Sequence, residues 1–312
     1  MPRLLHLGTS SWSFPGWKGL VWDADHSEST LAKQGLAAYA QHPMLRTVSL
    51  DRSFYRPLSA SQYAVYAAQV PEHFRFVVKA PSLVTDAMVR GAEGRGTQPN
   101  PAFLDPTLAI DEFVQPAIEG LGPRIGALVF QLSPLPGSWL ARLPDFFARL
   151  EDMLTALPPL PGGATVAVEV RDAQLLVPEF AALLKRAGAT YCVGLHAKMP
   201  PIEAQLPMLR ALWPGPLVCR WSLNRKHGAY GYEEAKGLYE PFDRLVDPDP
   251  DTREVLARVI VATMAAGFHS YVTINNKAEG CAPLSVQKVA EAVLATLPPQ
   301  APATPATQER KD

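Results

Sequence analysis

The sequence predicts an α/β fold in which eight parallel strands close into a (β/α)8 TIM barrel. Short apolar runs rich in β-branched residues recur eight times along the chain, and amphipathic segments with helical spacing separate them. Strands that alternate with helices form parallel sheets with right-handed crossovers. The length of 312 residues also falls within the range of one such barrel.

The predicted strands and helices alternate along the whole chain. In chain order the strands are LLHLGTS near Leu4, TVSLD from Thr47, RFVVKA from Arg75, IGALVFQLS from Ile125, TVAVEVRD from Thr165, TYCVGLH from Thr190, LVCRWSL from Leu217 and SYVTINN from Ser270. The segments between them place apolar residues three and four positions apart, as an amphipathic helix does. They include LAAYAQH, SASQYAVYAAQV, LPDFFARLEDMLTAL, VPEFAALLKRAG, TREVLARVIVATMAAG and SVQKVAEAVLATL.

An open, doubly wound sheet is the alternative arrangement of such units. Its dinucleotide-binding form has a glycine-rich turn with the pattern G-x-G-x-x-G after the first strand. The sequence at that place, GTSSW, does not have this pattern. The run GAEGRG near Gly91 has the glycines but lies in a long connection from Ser82 to about Pro106. We therefore expect one barrel domain over residues 1–297 and a disordered tail over residues 298–312.

The overall composition is that of a globular protein and narrows the classes of partner. Hydrophobic residues make up 47% of the chain, charged residues make up 19%, and the formal net charge is -1. Such a chain lacks the excess of positive charge that binds phosphate backbones or anionic lipids. The charge balance therefore argues against nucleic acid and membranes as partners.

Cysteine usage and the N-terminal residues indicate a cytoplasmic protein. Cys192, Cys219 and Cys281 are far apart and lack paired spacing, so we expect buried, reduced thiols. The first residues, MPRLLHLGTSSW, have too short an apolar stretch for a signal peptide. No run of the sequence reaches the length of a membrane span.

The run AVEVRD, residues 167–172, places charged residues within a predicted buried strand. In TVAVEVRD the three valines share one face, whereas Ala167, Glu169 and Arg171 share the other. If the valines pack under the helices, Glu169 and Arg171 point into the barrel or its mouth. Active sites of TIM barrels lie at the carboxyl ends of the strands. The pattern therefore predicts a functional site there.

Polar residues also end the other predicted strands, and we expect them to form a ring at one end of the barrel. The ring comprises Asp51, Lys79, Gln131, Glu169, Arg171, Arg220 and Asn275. His196 ends the sixth strand, Asn276 and Glu279 follow the last strand, and Trp12 and Tyr55 follow the first two. A mouth of mixed charge suits a small ligand that is polar, anionic or polyhydroxylated.

Each of these residues also has a purely structural explanation. Glu169 and Arg171 can form a buried ion pair that only fixes the barrel. Lys79 can neutralise Glu169 without amine chemistry, and His196 can be a hydrogen-bonded loop residue. Trp12 and Tyr55 can pack at the rim or provide a stacking surface for a sugar or base. The residues alone leave both explanations open.

Several reaction classes lack the residues that they need. A glycosidase requires two carboxyl groups that flank the scissile bond. The candidate partners of Glu169 are Asp51 and Glu279, so the sequence supports a glycosidase only weakly. The ring is richer in Arg, Lys and amide side chains than in metal ligands, so we expect no metal site. The sequence contains no G-x-S-x-G elbow, and we predict no cofactor.

Six segments carry a family likeness as a set. They are GTSSWSFPGWKG, FYRPLS, FRFVVKAP, LGPRIGALVFQLSP, VAVEVRD and VTINNKAEGCAP, and they span about Leu7 to about Leu294. In content and order they resemble the YecE-like family, known as domain of unknown function 72. The resemblance implies a TIM barrel but supplies no reaction. The family's polar strand-end positions fall on Lys79, Gln131, Glu169, Arg171 and Asn276, and its Glu-Gly pair falls on Glu279 and Gly280.

The chain departs from the family pattern at two places. Where the family commonly has VEINSTFY, this chain has VSLDRSFY, so Ser49 and Asp51 replace the acid and the amide. Where the family commonly has ITH after the third strand, this chain has VTD, with Asp86 in place of the histidine. These changes indicate a divergent subfamily.

Our leading hypothesis is an enzyme that acts on a small anionic or polyhydroxylated metabolite, such as a sugar or sugar phosphate. Glu169 is the expected general acid or base, and Lys79 and Arg171 would tune its charge. The candidate ligand-binding residues are Trp12, Asp51, Tyr55, Gln131, His196, Arg220, Asn275, Asn276 and Glu279.

Two other classes of function remain as alternatives, and the sequence does not indicate the oligomeric state. One is a binding or sensor barrel that uses the same pocket without turnover. The other is a nucleic-acid-processing enzyme, for which basic residues in loops after the strands would form a groove. Those residues are Arg52, Arg56, Arg90, Arg95, Arg225 and Lys226.

Overall fold

Eight parallel strands form a closed barrel in the computed structural model, which describes residues 2–91 and 96–298. The strands of the described residues are β1 Leu5–Thr9, β2 Thr47–Leu50, β3 Arg75–Lys79, β4 Met88–Arg90, β5 Gly96–Pro99, β6 Ile125–Gln131, β7 Thr165–Glu169, β8 Thr190–Leu195, β9 Leu217–Trp221 and β10 Ser270–Ile274. The barrel order is β1, β10, β9, β8, β7, β6, β3 and β2, and β2 pairs with β1 to close it. The predicted (β/α)8 fold is confirmed.

Helices follow the barrel strands and cover the barrel. They are α1 Glu28–Tyr39, α2 Arg52–Tyr55, α3 Ala60–Ala67, α4 Ser82–Thr85, α5 Pro106–Ala109, α6 Gln115–Leu121, α7 Gly137–Leu140, α8 Leu143–Ala156, α9 Pro178–Arg186, α10 Ile202–Ala211, α11 Tyr232–Tyr239, α12 Pro250–Ala265 and α13 Ala282–Thr296. A π-helical turn, Ile110–Val114, joins α5 to α6. The six amphipathic segments correspond to α1, α3, α8, α9, α12 and α13. The pattern did not single out α6, α10 or α11.

Side-chain caps fix where several of these helices begin. The hydroxyl of Ser27 accepts a hydrogen bond from the backbone N–H of Thr30 at the start of α1. Before α3, Ser59 and Gln62 form a capping box in which each side chain bonds the other residue's backbone N–H. These bonds satisfy amide groups that the first turn of a helix leaves without partners.

The two faces of β7 meet different surroundings. Val168 and Val170 belong to the large core between the barrel and the helices. Ala167 belongs to a smaller cluster of buried residues inside the barrel, which also contains Cys192 and Val218. Because side chains alternate along a strand, Glu169 shares the inner face with Ala167. The predicted alternation is confirmed, and it directs Glu169 into the barrel.

The connection after β3 contains more regular structure than its glycine and proline content suggested. The helix α4 follows β3, and β4 and β5 then pair as an antiparallel two-stranded sheet beside the barrel. Residues 92–95, the centre of GAEGRG, lie outside the described residues, as does the predicted tail from residue 299 onward.

The three cysteines are buried, as the sequence predicts. Cys192, Cys219 and Cys281 are buried free thiols. Among the helices of the described residues, none is long and apolar enough to cross a membrane.

Candidate functional site

A cavity of about 580 Å³ opens at the carboxyl ends of the barrel strands. Strand ends and the loops that follow them supply its walls, as in the active sites of TIM-barrel enzymes. The lining residues are Ser10, Asp51, Phe54, Tyr55, Lys79, Gln131, Ser133, Pro134, Arg171, His196, Lys198, Arg220, Ser222, Ala229, Tyr230, Tyr232, Asn275 and Lys277. A second cavity, of about 480 Å³, adjoins it and shares Arg171, Lys198 and Tyr230.

Positive charge predominates in the cavity wall. Five cationic side chains line it, together with the carboxylate of Asp51, and the carboxylate of Glu169 lies beneath the surface. The cationic residues are Lys79, Arg171, Lys198, Arg220 and Lys277. Partly enclosed sites lined by one sign of charge concentrate ligands of the opposite sign. The electrostatics therefore favour an anion.

Two arginines hold the acidic residues of the site. Nη1 of Arg220 lies 2.7 Å from Oε2 of Glu169, and Nη2 lies 2.9 Å from both carboxylate oxygens of Asp51. Nη1 of Arg171 forms an ion pair with the other oxygen of Glu169. Arg220 therefore links the barrel interior to the mouth, and Glu169 is enclosed between two guanidinium groups.

A glycine on the neighbouring strand makes room for this arrangement. Gly194 lies in β8, next to β7 in the sheet. A Cβ atom at Gly194 would lie 2.9 Å from Nη1 of Arg171 and 3.2 Å from Oε1 of Glu169. A contact this close requires the end of the Arg171 side chain to move, so a side chain at Gly194 would displace this guanidinium group from its present position.

The environment of Glu169 does not suit the predicted general acid or base. The side chain of Glu169 is 0% exposed. Burial alone would raise the pKa of this carboxyl, but Arg171 and Arg220 outweigh that effect and lower it. Glu169 therefore stays ionised and bound to two cations. Its geometry instead suits the positioning of Arg171 and Arg220.

Lys79, at the end of β3, has the properties of a reactive group. Its Nζ atom lies 3.3 Å from the ring centroid of Phe54. Among the residues that the structure describes, Nζ has no hydrogen bond or ion pair, because the arginines hold both nearby carboxylates. Burial and then the charge of Arg220 lower the pKa of Lys79 to about 7, against the opposing effects of Asp51 and Glu169.

His196 lines the cavity as a neutral hydrogen-bond donor. Its Nδ1 atom accepts a hydrogen bond of 3.0 Å from the backbone N–H of Lys198, and its ring stacks on Tyr232 with centroids 5.5 Å apart. Burial and then the charge of Arg171 lower the pKa of His196 to about 4. At neutral pH the ring proton therefore lies on Nε2.

Three further predicted residues line the same cavity. Tyr55 lies at its rim and is 83% exposed. Gln131 is buried at the end of β6 and donates a hydrogen bond of 3.3 Å to the carbonyl of Leu132. Asn275 follows β10, and its side-chain oxygen accepts a hydrogen bond from the backbone N–H of Lys277. These polar groups can contact a ligand beside the charged residues.

Trp12 and Asn276, predicted as ligand-binding residues, lie outside this cavity. The indole N–H of Trp12 donates to the carbonyl of Leu31, so the ring is fixed against α1. Oδ1 of Asn276 accepts hydrogen bonds from the indole of Trp17 and from the backbone N–H of Ala282. Both side chains therefore stabilise loops around the barrel.

Glu279 is also directed away from the cavity. Its Oε1 atom accepts a hydrogen bond of 2.6 Å from the backbone N–H of Asp249 and lies 3.2 Å from Nε of Arg253. The side chain is 0% exposed. Glu279 therefore anchors the loop before α12, a role that its position three residues beyond Asn276 did not reveal.

Several cavity residues were not singled out from the sequence. Lys277 follows the two asparagines at the end of β10, and Lys198 follows His196 by two residues. Tyr230 comes from the loop between β9 and α11, Tyr232 is the first residue of α11, and Phe54 lies in α2 after the second strand. Lys277, Lys198 and Phe54 lie close after strand ends, and that position is the one feature that could have identified them. Tyr230 and Tyr232 lie far beyond the end of β9, so this signal was absent for them. In the described part of the chain, no group of three or more His, Cys, Asp or Glu residues could hold a metal ion.

A family model decides which family the chain belongs to. The model described as "Protein of unknown function DUF72" matches residues 6–309. The chain is a member of the DUF72 family. The resemblance noted in the sequence is therefore confirmed, and Lys79, Glu169 and Arg171 belong to a DUF72 barrel. Among curated proteins, none matches the chain.

Solved structures of other DUF72 proteins share this fold. A DUF72 family protein of Thermotoga maritima MSB8 is 23% identical, with a TM-score of 0.62, over 93% of this chain and 99% of that one. A DUF72 family protein of Enterococcus faecalis V583 is 17% identical, with a TM-score of 0.61, over 93% of this chain and 95% of that one. At these identities the likeness extends to the fold alone.

Proposed function

We propose that this DUF72 protein is an enzyme that acts on a small anionic or polyhydroxylated metabolite, such as a sugar phosphate. The metabolite would bind in the cavity at the barrel mouth, and Lys79 would exchange protons with it. The observation that carries the proposal is the combination of a half-buried lysine, which has no hydrogen bond or ion pair to its amine among the described residues, with a cavity wall of predominantly positive charge.

Anion binding follows from the distribution of charge over the wall. Arg171 and Arg220 are held in place by Glu169, so they need little reorganisation when a ligand enters. Lys198 and Lys277 lie in loops on the rim and complete the cationic wall. Neutral donors such as Nε2 of His196 can bind hydroxyl or phosphate oxygens.

Proton exchange is assigned to Lys79 rather than to Glu169. A general acid or base works best when its pKa is close to the pH of the reaction. Burial and the charge of Arg220 bring the pKa of Lys79 to about 7, whereas Glu169 is kept ionised by two arginines. The role predicted for Glu169 from the sequence therefore moves to Lys79, and Glu169 becomes a positioning residue.

A binding or sensor protein would use the same cavity without turnover, and the two classes differ in one variant. In Lys79→Met, an enzyme retains affinity for its neutral or anionic ligand but loses turnover, whereas a binder has no turnover to lose.

A nucleic-acid groove has less support, because Lys226 forms an ion pair with Asp247 and Arg225 donates a hydrogen bond to the carbonyl of Met199.

The test is a thermal-shift screen of the whole protein against sugar phosphates, small carboxylates and neutral sugars. A ligand that binds the folded state stabilises it by about 2.7 kcal/mol at a hundredfold excess over its dissociation constant. We expect anions to raise Tm and the corresponding neutral sugars to have a smaller effect. Lys198→Met and Lys277→Met should each weaken the shift.

The matched control for these variants is Lys288→Met. Lys288 lies on α13, away from the cavity, and pairs with Glu291 at 2.8 Å. Its removal should leave the ligand-induced shift unchanged. If no anion raises the Tm of the wild type, or if Lys198→Met and Lys277→Met bind as the wild type does, the proposed function is wrong.

A further inference from the structure

We propose that Nζ of Lys79 adds covalently to the carbonyl group of an anionic aldehyde or ketone, forming a Schiff base. The inference rests on the proposed function, since it requires that the cavity bind a small anion. It adds the chemical class of the substrate, a carbonyl compound that carries a carboxylate or a phosphate. It also assigns Lys79 a second reaction besides proton exchange.

The position of Lys79 leaves its amine available to a ligand. Lys79 ends β3 and lines the cavity at the barrel mouth. Glu169 and Asp51 could each have paired with it, but Arg220 binds both of these carboxylates. Within the described residues Nζ has no hydrogen bond or ion pair, so its contact with the ring of Phe54 is the one polar interaction of the amine that changes when it reacts.

Phe54 shields one side of the amine. Its ring centroid lies 3.3 Å from Nζ, which leaves too little space for water between them. A ligand must therefore approach Nζ from the cavity side. The anionic group of that ligand would meet Arg171 and Arg220, which are already positioned by Glu169. Such an arrangement holds the carbonyl near the amine, as bimolecular additions require.

The amine must be neutral to act as a nucleophile. Lysines become nucleophilic when they are desolvated or lie beside another cation. Both conditions hold for Lys79, whose pKa is lowered to about 7 by burial and then by Arg220. Roughly half of the Lys79 side chains are then neutral at pH 7. This supply of neutral amine supports the geometric argument.

The proposed step balances without an oxidant or a reductant. The lone pair of Nζ attacks the carbonyl carbon, and the carbonyl π electrons move to oxygen. Transfer of a proton from nitrogen to oxygen gives a carbinolamine. A proton from solvent at the open mouth then releases the hydroxyl group as water and leaves a protonated imine. One amine, one carbonyl and one proton thus become one iminium ion and one water molecule.

Lys277 is a second cavity lysine that could form the imine. Burial also lowers the pKa of Lys277, although Glu233 and Glu240 oppose the shift. Nζ of Lys277 lies 5.4 Å from the ring centroid of Tyr232, farther than Nζ of Lys79 lies from Phe54. Lys277 lies in a 3-10 helical turn after β10, whereas Lys79 belongs to the barrel strand β3. The geometry therefore favours Lys79, and Lys277 serves as the comparison.

The experiment is reductive trapping of the whole protein with sodium borohydride. The probes are pyruvate, dihydroxyacetone phosphate and glyceraldehyde 3-phosphate. Borohydride reduces an imine to a stable secondary amine, which adds the mass of the probe less one oxygen atom. Peptide mass spectrometry should locate this mass on Lys79. Lys79→Arg, which keeps the charge but cannot form the imine, should lose the adduct, whereas Lys288→Arg, on α13 away from the cavity, should retain it.

The outcomes separate this inference from the proposed function. An adduct on Lys79 that disappears in Lys79→Arg supports the Schiff base. If the probes raise Tm but borohydride leaves Lys79 unmodified, the covalent step is wrong and anion binding stands. An adduct on Lys277 in the wild type overturns the assignment to Lys79. If neither the probes nor the other anions raise Tm, the proposed function fails and the inference fails with it.

Discussion

Nη1 of Arg220 lies 2.7 Å from Oε2 of Glu169 at a point where the side chain of Glu169 has no exposure to solvent. A buried carboxylate of this kind is costly unless it is paired and hydrogen-bonded. Glu169 has a second cation, Arg171, on its other oxygen. The pair therefore belongs to a cluster in which each charge depends on the others.

Glu169→Gln should destabilise the protein strongly. The substitution leaves the guanidinium groups of Arg171 and Arg220 buried without their shared counter-charge. Removing one partner of a buried ion pair typically costs about 3–5 kcal/mol. Denaturant unfolding measures the change. Glu151→Gln is the control, because Glu151 pairs with Arg186 on the surface and its loss should have little effect. An equal loss of unfolding free energy in the two variants would show that the buried position of Glu169 does not make its ion pairs more important for stability.

Lys79 should be modified by acylating reagents at a lower pH than ordinary lysines. Only the neutral amine reacts, so its labelling rate should rise as pH increases through its pKa of about 7. An ordinary lysine titrates near about 10.4. Competitive labelling followed by peptide mass spectrometry measures the profile, and the labelled peptide should be absent from Lys79→Arg. A labelling rate that rises only above about pH 9 would contradict the lowered pKa.

The barrel could be predicted from the sequence because its strands carry two separate patterns. In β7 the valines alternate with Ala167 and Glu169. Val168 packs in the large core between the barrel and the helices, whereas Ala167 packs in the cluster inside the barrel. Period-two alternation fixes which face of a strand is buried, even when that face holds charge. The helix α10 was less evident, because Pro207 lies within it and interrupts the helical pattern.

The candidate site could be predicted most directly where a residue belongs to the end of a strand. Lys79, Gln131 and Arg220 belong to strands, so the period of the strand sets their direction. Asn276 and Glu279 lie beyond β10, where loop geometry turns them toward Trp17 and Arg253. Local spacing does not encode the path of a loop.

Gly194→Ala should disturb the ion pair of Arg171 and Glu169. The new Cβ would lie 2.9 Å from Nη1 of Arg171, and crowding of this kind in a packed interior costs about 1–3 kcal/mol. The free energy of unfolding, measured with denaturant, and the ligand-induced Tm shift should both decrease. Gly237→Ala is the control, since Gly237 lies in α11 with nothing near its Cβ position. That variant should be as stable as the wild type or more stable by up to about 1 kcal/mol.

His6 should make the protein less stable as the pH falls. Its Nε2 atom lies 3.0 Å from Nδ1 of His269 at the base of the barrel. Burial and then the charge of His269 lower the pKa of His6 from 6.5 to about 3. Between these values the unfolded chain binds more protons than the folded chain, so stability is lost on acidification through this interval.

His6→Gln should reduce that dependence on pH. The free energy of unfolding of the wild type decreases between pH 6.5 and pH 3. Without the titrating group of His6, this decrease should be smaller by about 2–5 kcal/mol. Denaturant unfolding over this interval measures it. A variant whose stability declines as steeply as that of the wild type would show that His6 is not the source.

Lys79→Met should stabilise the protein at neutral pH, in contrast to Glu169→Gln. The pKa of Lys79 is 10.5 when unperturbed and about 7 in the folded state, so the unfolded chain binds more protons between these values. The half-buried lysine therefore costs the most stability at pH 7 and below, and the cost declines as pH rises toward 10.5. Methionine fills similar space without charge, so the gain should be about 2–5 kcal/mol at pH 7. Denaturant unfolding at several pH values should show this gain shrinking as pH rises. A Lys79→Met protein that is less stable than the wild type at pH 7 would mean that the ammonium is stabilised by its surroundings, and the reactive role of Lys79 would lose its physical basis.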